Sequence, residues 1–259
     1  MELAISPASC GSFERWFMRR FDVVSTISYS MIERAVLKMG KKDNLIYFPN
    51  WVDIDFITPS ADRTVFCKLW KIPESSLIVL YAGNMGKKQG LEIILQVAHK
   101  FRAMENVLFV MVGTGVALDG LKKQAAQAKL GNIGFFPLQP YNKLPNLMTF
   151  ADVHLLVQRK KTDGCMLPSK LATIFSAGGT ALITAEKDTE LGVLCDKYPG
   201  IAQRVEPENV EAIYDALKKM LEGIDVDSRS FNNVVREYAE IYLNKNRILK
   251  NYLDNLKNI

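Results

Sequence analysis

The chain has 259 residues, 48% of them apolar and 24% charged, a balance that excludes wholesale disorder, collagen-like repeats and low complexity. Its 33 basic and 28 acidic side chains leave a net charge of +5, too mild for a nucleic-acid-binding domain. Apolar runs such as Leu77 to Ala82 and Val107 to Val112 fall far short of the ~20 residues that span a bilayer. Met1-Glu2-Leu3 lacks the basic start and apolar stretch of a signal peptide, so a cytoplasmic chain is expected. The cysteines at 10, 67, 165 and 195 form no CxxC, and there are only two histidines. A structural zinc needs about four clustered ligands, so reduced thiols and no metal are expected.

In chain order, Phe13 to Arg20 reads as an amphipathic helix, aromatic and basic. Phe21 to Ile27 follows as a strand, then a helix carrying Met31, Ala35, Leu37 and Met39, then a short strand from Leu45 to Phe48. Turn residues bracket one helical stretch between Ile57 and Ser76, which predicts an interdomain boundary. Beyond it the pattern is regular. Strands at Leu77–Ala82, Val107–Val112, Ile133–Phe136, Val153–Val157, Ala181–Thr184 and Ile201–Val205 alternate with helices near 89–104, 116–130, 143–150, 168 onward and 188–198. Three more helices close the chain from Glu208. Such alternation predicts an α/β fold with a doubly wound parallel sheet.

In that architecture ligands bind beyond the carboxyl ends of the strands. The first strand-to-helix turn is Gly83-Asn84-Met85-Gly86-Lys87-Lys88-Gln89-Gly90. Its glycines would let backbone approach an anion, with a helix N-terminus behind and Lys88 as a point charge. A plain tight turn is the competing reading, and Gly-Lys-Ser/Thr of a Walker motif is absent. The second turn, Gly113-Thr114-Gly115-Val116-Ala117-Leu118, begins like a dinucleotide fingerprint but lacks its third glycine. The third, Pro137-Leu138-Gln139-Pro140-Tyr141, fits either a base-binding loop or a stiff turn. The fourth runs from Gln158 through Asp163 to Pro168-Ser169-Lys170. Pro168 suits a first helical turn, and a lysine there opposes the dipole unless an anion or solvent receives it. Asp152, Asp163, Glu186 and Glu190 could share one sheet edge, but no spacing fixes a catalytic pair. His154 lies within a strand and reads as a core histidine before a base. The Arg159-Lys160-Lys161 and Lys87-Lys88 clusters and the basic residues 241–259 are solvated faces or phosphate- and membrane-directed ones.

An ordered set of motifs resembles the family 4 retaining glycosyltransferases, closest to the colanic acid (fucosyltransferase-type) branch. The set is Val23-Val24-Ser25-Thr26-Ile27-Ser28, Phe48-Pro49-Asn50-Trp51, Tyr81 to Glu92, Phe136-Pro137-Leu138-Gln139, Leu167-Pro168-Ser169-Lys170-Leu171, Ile183 to Glu186, Thr189-Glu190-Leu191-Gly192 and Val205-Glu206-Pro207-Glu208. The resemblance implies a GT-B fold with two Rossmann-like domains, the second holding a nucleoside-diphosphate sugar. It implies no metal or other cofactor. It places Gly83, Asn84, Gly86 and Lys88 at the diphosphate, and Gly113 and Gly115 in the adjoining loop. Leu138, Gln139 and Tyr141 would flank the base. Pro168, Ser169, Lys170 and Thr173 would meet phosphates or sugar, with Glu190 nearby. Lys88, Lys170 and Asp163 are the implied catalytic set.

The chain departs from the broader family. Asn84 and Gln89 stand where Arg and Lys are usual, and Cys165 and Thr173 stand where two Glu are usual. Asp163 is then the expected partner for a sugar hydroxyl. Family members are also far longer. Residues 1–57 are expected to be a remnant of the acceptor-side domain with its linker, 58–225 the donor domain, and 226–259 helices packing back. The implied reaction moves a sugar, GDP-fucose or similar being the donor, to a lipid-linked saccharide at the inner membrane face. The alternatives are a non-catalytic or split-enzyme nucleotide-sugar-binding module that needs a separate N-terminal half, and a sugar-nucleotide epimerase; a dimer or that complementing half is the expected protein partner.

Overall fold

A computed structural model of the chain describes residues 7–40, 44–160, 164 and 167–257. The first helix, α1, spans Pro7–Met18, starting earlier than the aromatic run alone suggested. A small parallel unit follows: β1 (Val24–Thr26), α2 (Tyr29–Met39) and β2 (Leu45–Tyr47). Ser28 starts α2 by accepting the Met31 N–H at 3.1 Å, and Gly40 ends it in the left-handed region at φ 75°.

The larger body alternates without interruption. Helix α3 (Thr64–Trp70) precedes β3 (Leu77–Ala82), α4 (Glu92–Lys100), β4 (Val107–Val112), α5 (Leu118–Gln127) and β5 (Ile133–Phe136). Then come α6 (Leu144–Phe150), β6 (Val153–Leu156), α7 (Lys170–Ser176), β7 (Ala181–Thr184), α8 (Glu190–Lys197), β8 (Gln203–Val205) and α9 (Val210–Glu222). Helix α10 (Asn233–Tyr238), a π turn (Ala239–Leu243) and α11 (Lys245–Lys257) complete the chain. The helix expected from Gln89 begins only at Glu92, because Gly90, left-handed at φ 67°, ends a short 3-10 turn at Lys87–Gln89.

The six strands are parallel in the order β5-β4-β3-β6-β7-β8. The chain builds outward from β3, then returns to β6 and builds the other way. This is the Rossmann order, and its reversal opens a crevice between the loops after β3 and β6. Both faces are covered, as parallel strands require. The period of two sends Ile78 and Leu80 toward α3, α6, α7 and α10, and Val79 and Tyr81 toward α4, α5 and α9. The stretch from Ile57 to Ser76 is packed: Ile57 and Phe66 are buried, and Trp70 stacks on Phe136 at 4.0 Å.

Asp152 lies just before β6, at the amino end of the sheet. It accepts from Arg63 at 2.9 Å, Arg229 at 2.7 Å and the Ile78 N–H at 2.7 Å. Arg236 on α10 donates to the carbonyls of Ile54, Ile57 and Ser176, so it fastens the loop after β2 to the carboxyl end of α7. The bridge between Val52 and Asn244 and the contact of Phe48 with Tyr252 join the loop after β2 and the last helix. No helix among the described residues is long and apolar enough to cross a membrane.

Candidate functional site

The loop after β3 is held by its neighbour rather than by itself. Gly83 N donates to Val112 O at 2.9 Å and Met85 N to Thr114 O at 2.8 Å, while Met85 O receives Ala117 N at 2.9 Å. The Tyr81 hydroxyl fixes the Asn84 carbonyl at 2.7 Å. This close approach explains the glycines after β4. A Cβ at Gly113 would sit 2.0 Å from Gly83 O, and one at Gly115 would sit 2.4 Å from Met85 O. Their φ angles of 145° and 151° suit only glycine. These two residues shape the crevice by letting two loops touch.

Gly113→Ala is therefore expected to cost about 2–4 kcal/mol from overlap and backbone strain together. Chemical denaturation would measure it. A loss below about 0.5 kcal/mol would show that the two loops are not locked.

Across the crevice stands Lys170, the first residue of α7. Its Nζ lies 4.1 Å above the Tyr81 ring, and it passes 3.9 Å from the space that a Cβ on Gly83 would fill. The ammonium makes no hydrogen bond or ion pair with any described residue. Burial among neutral groups pulls its pKa from 10.5 down to about 8. A cation on an aromatic face, with no counter-charge, at the mouth of a glycine loop, is arranged to receive an anion. Tyr81, whose burial pushes its phenol up to about 12, supplies that face and was not legible as a site residue in a buried strand.

Behind Lys170 lies a cavity of about 150 Å³. It brings together Gly83, Leu138, Gln139, Lys170 and Thr173, from two loops and one helix. His154 borders it but is no base: it is buried, its Nε2 sits 3.0 Å from the Met148 carbonyl, and desolvation lowers its pKa to about 4. The core reading of this histidine is the structural one.

Other expected site residues stand apart from this cavity. Lys88 is exposed on the 3-10 turn, and Asn84 is exposed on the loop beside Gly86. Tyr141 stacks on Phe56 at 4.8 Å, away from the cavity lining. Ser169 is exposed and makes no capping bond, and α7 is only seven residues long, so its dipole is a small contribution. Pro168 and Glu190 lie on the other side of α7, around a second cavity. One oxygen of Glu190 accepts the Ser30 N–H at 2.7 Å, which ties α8 to the start of α2. Asp163 and Cys165 lie outside the described residues. The shared carboxylate edge does not form: Asp152 sits at the amino end of the sheet, locked between two arginines, because the loop before β6 starts there. Among the described residues no group of three His, Cys, Asp or Glu could hold a metal. Cys67 and Cys195 are free thiols.

Arg159 is a residue that sequence order alone could not place. It follows β6, and its side chain crosses Gly90, where a Cβ would meet its Cγ at 2.8 Å. It pairs at 3.4 Å with Glu92. The missing side chain of Gly90 is what lets the two loops at the crevice lie against each other.

Residues 62–239 match the family model described as glycosyl transferases group 1. The chain is 42% identical over 248 residues to the colanic acid biosynthesis glycosyl transferase WcaI of Escherichia coli K12, covering 95% of this chain and 60% of that protein. It is 23% identical to the N-acetyl-alpha-D-glucosaminyl L-malate synthase of Bacillus anthracis, over 95% of this chain and 66% of that one. Among solved structures, HepE of Anabaena in complex with UDP superposes with a TM-score of 0.80 at 12% identity, over 100% of this chain and 70% of that one. At that identity the likeness speaks for the fold. The chain thus spans about 60% of the WcaI relative's length.

Proposed function

The chain belongs to the group 1 glycosyl transferases, and from that premise we propose that it is the donor-binding portion of an enzyme that moves a sugar from a nucleoside diphosphate. The observation that carries this reading is Lys170, an uncompensated cation facing a glycine loop at the point where the sheet order reverses. Departure of the sugar leaves negative charge on the diphosphate. Lys170 is placed to stabilise it as it develops, with no metal required. Gly83 and Gly86 admit the phosphates to the backbone, and Leu138, Gln139 and Thr173 offer walls to the nucleoside or sugar. Lys88 is exposed and adds only a nearby charge. A phosphate oxygen of the donor can take the acceptor's proton, which gives transfer with retention and needs no protein base. That HepE is solved with UDP and with UDP-glucose supports a nucleotide sugar as the ligand class.

In this reading the donor is GDP-fucose or a similar sugar nucleotide, and the acceptor is a lipid-linked saccharide. Exposed Phe13, Trp16 and Phe17, interleaved with Arg15, Arg19 and Arg20, would rest on an anionic inner leaflet. A second reading is a binding module that turns over only when an N-terminal half is supplied separately. The epimerase alternative loses its histidine, since His154 is buried and neutral. Calorimetric titration with GDP, UDP and ADP in the absence of metal tests the proposal. Saturable binding of at least one, weakened by altering Lys170, is expected. Absence of binding by all three to a folded sample would sink it. Turnover measured with and without the N-terminal half separates enzyme from module.

A further inference from the structure

Helix α7 separates two cavities. Lys170 and Thr173 border the first, and Leu171, Ala172 and Pro168 border the second, which encloses about 230 Å³ between the β1–β2 unit and α8. Five tyrosines line this second cavity: Tyr29, Tyr47, Tyr198, Tyr238 and Tyr242. They are organised by ring contacts. Tyr29 stacks on Tyr47 at 4.3 Å, and Tyr238 meets Tyr198 at 4.9 Å and Tyr242 at 4.8 Å. Burial raises the phenol of Tyr47 to about 12 and raises that of Tyr238 as well, so both keep their protons and can donate as well as accept.

Besides the phenols, the polar groups of the cavity are Glu190, Asn50 and Lys197, whose Nζ lies 5.4 Å from the centroid of the Tyr198 ring. Glu190 spends one oxygen on the Ser30 N–H, and its other oxygen accepts from no described residue. Asn50 is held through its Nδ2, which donates to the Leu167 carbonyl at 3.1 Å. Its oxygen makes no bond among the described residues. Aromatic faces, neutral phenols, an amide oxygen and a spare carboxylate oxygen suit a neutral polyhydroxy ring. The ring's C–H face lies on tyrosine, and its hydroxyls donate to Glu190 and Asn50. Glu190 and Lys197 offset each other in charge in this cavity, which suits an uncharged ligand, whereas the Lys170 cavity holds a lone cation.

We propose that the tyrosine-lined cavity is a subsite for an uncharged saccharide ring, separate from the Lys170 cavity. The identity of the ligand as a saccharide rests on the glycosyltransferase reading; the existence of a second, charge-balanced cavity does not. In that reading the ring belongs to the acceptor, and Glu190 is a binding residue for it. Joining both cavities to α7 means that the acceptor ring and the donor diphosphate are positioned by one rigid helix.

Saturation-transfer NMR with methyl α-fucoside, methyl α-glucoside and methyl α-galactoside tests this on the full chain, with and without saturating UDP or GDP. Transfer to at least one glycoside is expected, unchanged by the nucleotide and by Lys170→Met. Tyr29→Ala, which removes an exposed ring, is expected to weaken it about tenfold, and Glu190→Gln to weaken it severalfold. Tyr29→Phe, which keeps the ring face, is expected to retain most of it. No transfer from any of the three glycosides would overturn the proposal. So would transfer that survives both Tyr29→Ala and Glu190→Gln, or transfer displaced by nucleotide. Nucleotide binding measured on the same samples reports separately on the donor site, so a failure there is distinguishable.

Discussion

Replacing Lys170 by Met is expected to weaken nucleoside-diphosphate binding by about 10- to 150-fold, the range that corresponds to losing about 1.5–3 kcal/mol of charge-assisted hydrogen bonding. The same substitution is expected to stabilise the unliganded protein at neutral pH, because methionine keeps the apolar stem and removes an ammonium that burial disfavours. The pH dependence gives the sign. Lys170 has a folded pKa of about 8 against 10.5 when unfolded. Between those values the unfolded chain holds more protons, so this group makes stability rise as pH rises from about 8 to 10.5. Below about pH 8 both states are charged and the folded state carries the full cost. The rise should vanish in Lys170→Met and flatten when nucleotide neutralises the ammonium. Nucleotide binding near pH 9 should also take up a proton, visible by calorimetry in two buffers of different ionisation enthalpy. Binding unchanged in the variant would remove Lys170 from the site.

The second large effect concerns the opposite end of the sheet. Asp152→Asn is expected to destabilise the fold by about 3–5 kcal/mol, the cost of breaking a buried ion pair from one side. Asp152 has a side chain only 3% exposed, and it is the shared acceptor for Arg63 and Arg229. Without its charge two guanidiniums, 18% and 17% exposed, are left facing each other. Arg229 retains its carbonyl partners at Glu74, Val226 and Ser76, so it cannot easily turn away. Urea denaturation of the variant measures the loss. Because Asp152 lies far from the crevice loops, nucleotide affinity of the folded fraction should be unchanged. A stable variant with weakened binding would contradict the structural role.

The two results would separate what the carboxyl end of the sheet does from what the amino end does. They also show why composition could not tell the carboxylates apart. Asp152, Glu186 and Glu190 are alike in sequence, each close to a strand end. Only the fold puts Asp152 between two arginines from α3's border and the loop before α10, and Glu190 against the backbone of α2.

What the sequence determined by itself was local and periodic. Apolar strands alternating with amphipathic helices specify a parallel sheet covered on both faces, since neither element can bury its apolar side alone. Gly83, Gly113 and Gly115 announce turns that need unusual backbone, and Lys170 beside Pro168 announces a helix start where a cation sits badly. The ordered motifs pointed to the family that residues 62–239 match. Tertiary structure decided the rest, because it depends on which strands become neighbours. The reversal between β3 and β6 sets Lys170 over Tyr81 and Arg159 across Gly90, pairs that are far apart along the chain. Packing turned Tyr141 onto Phe56 and left Lys88 in solvent, although both stand in loops at the correct sheet edge. The sharing of one short helix by two cavities, one with a lone cation and one with a carboxylate and an ammonium, has no counterpart in the linear sequence. The second cavity's lining residues come from positions as distant as Tyr29 and Tyr242, which only the tertiary fold brings to one cavity.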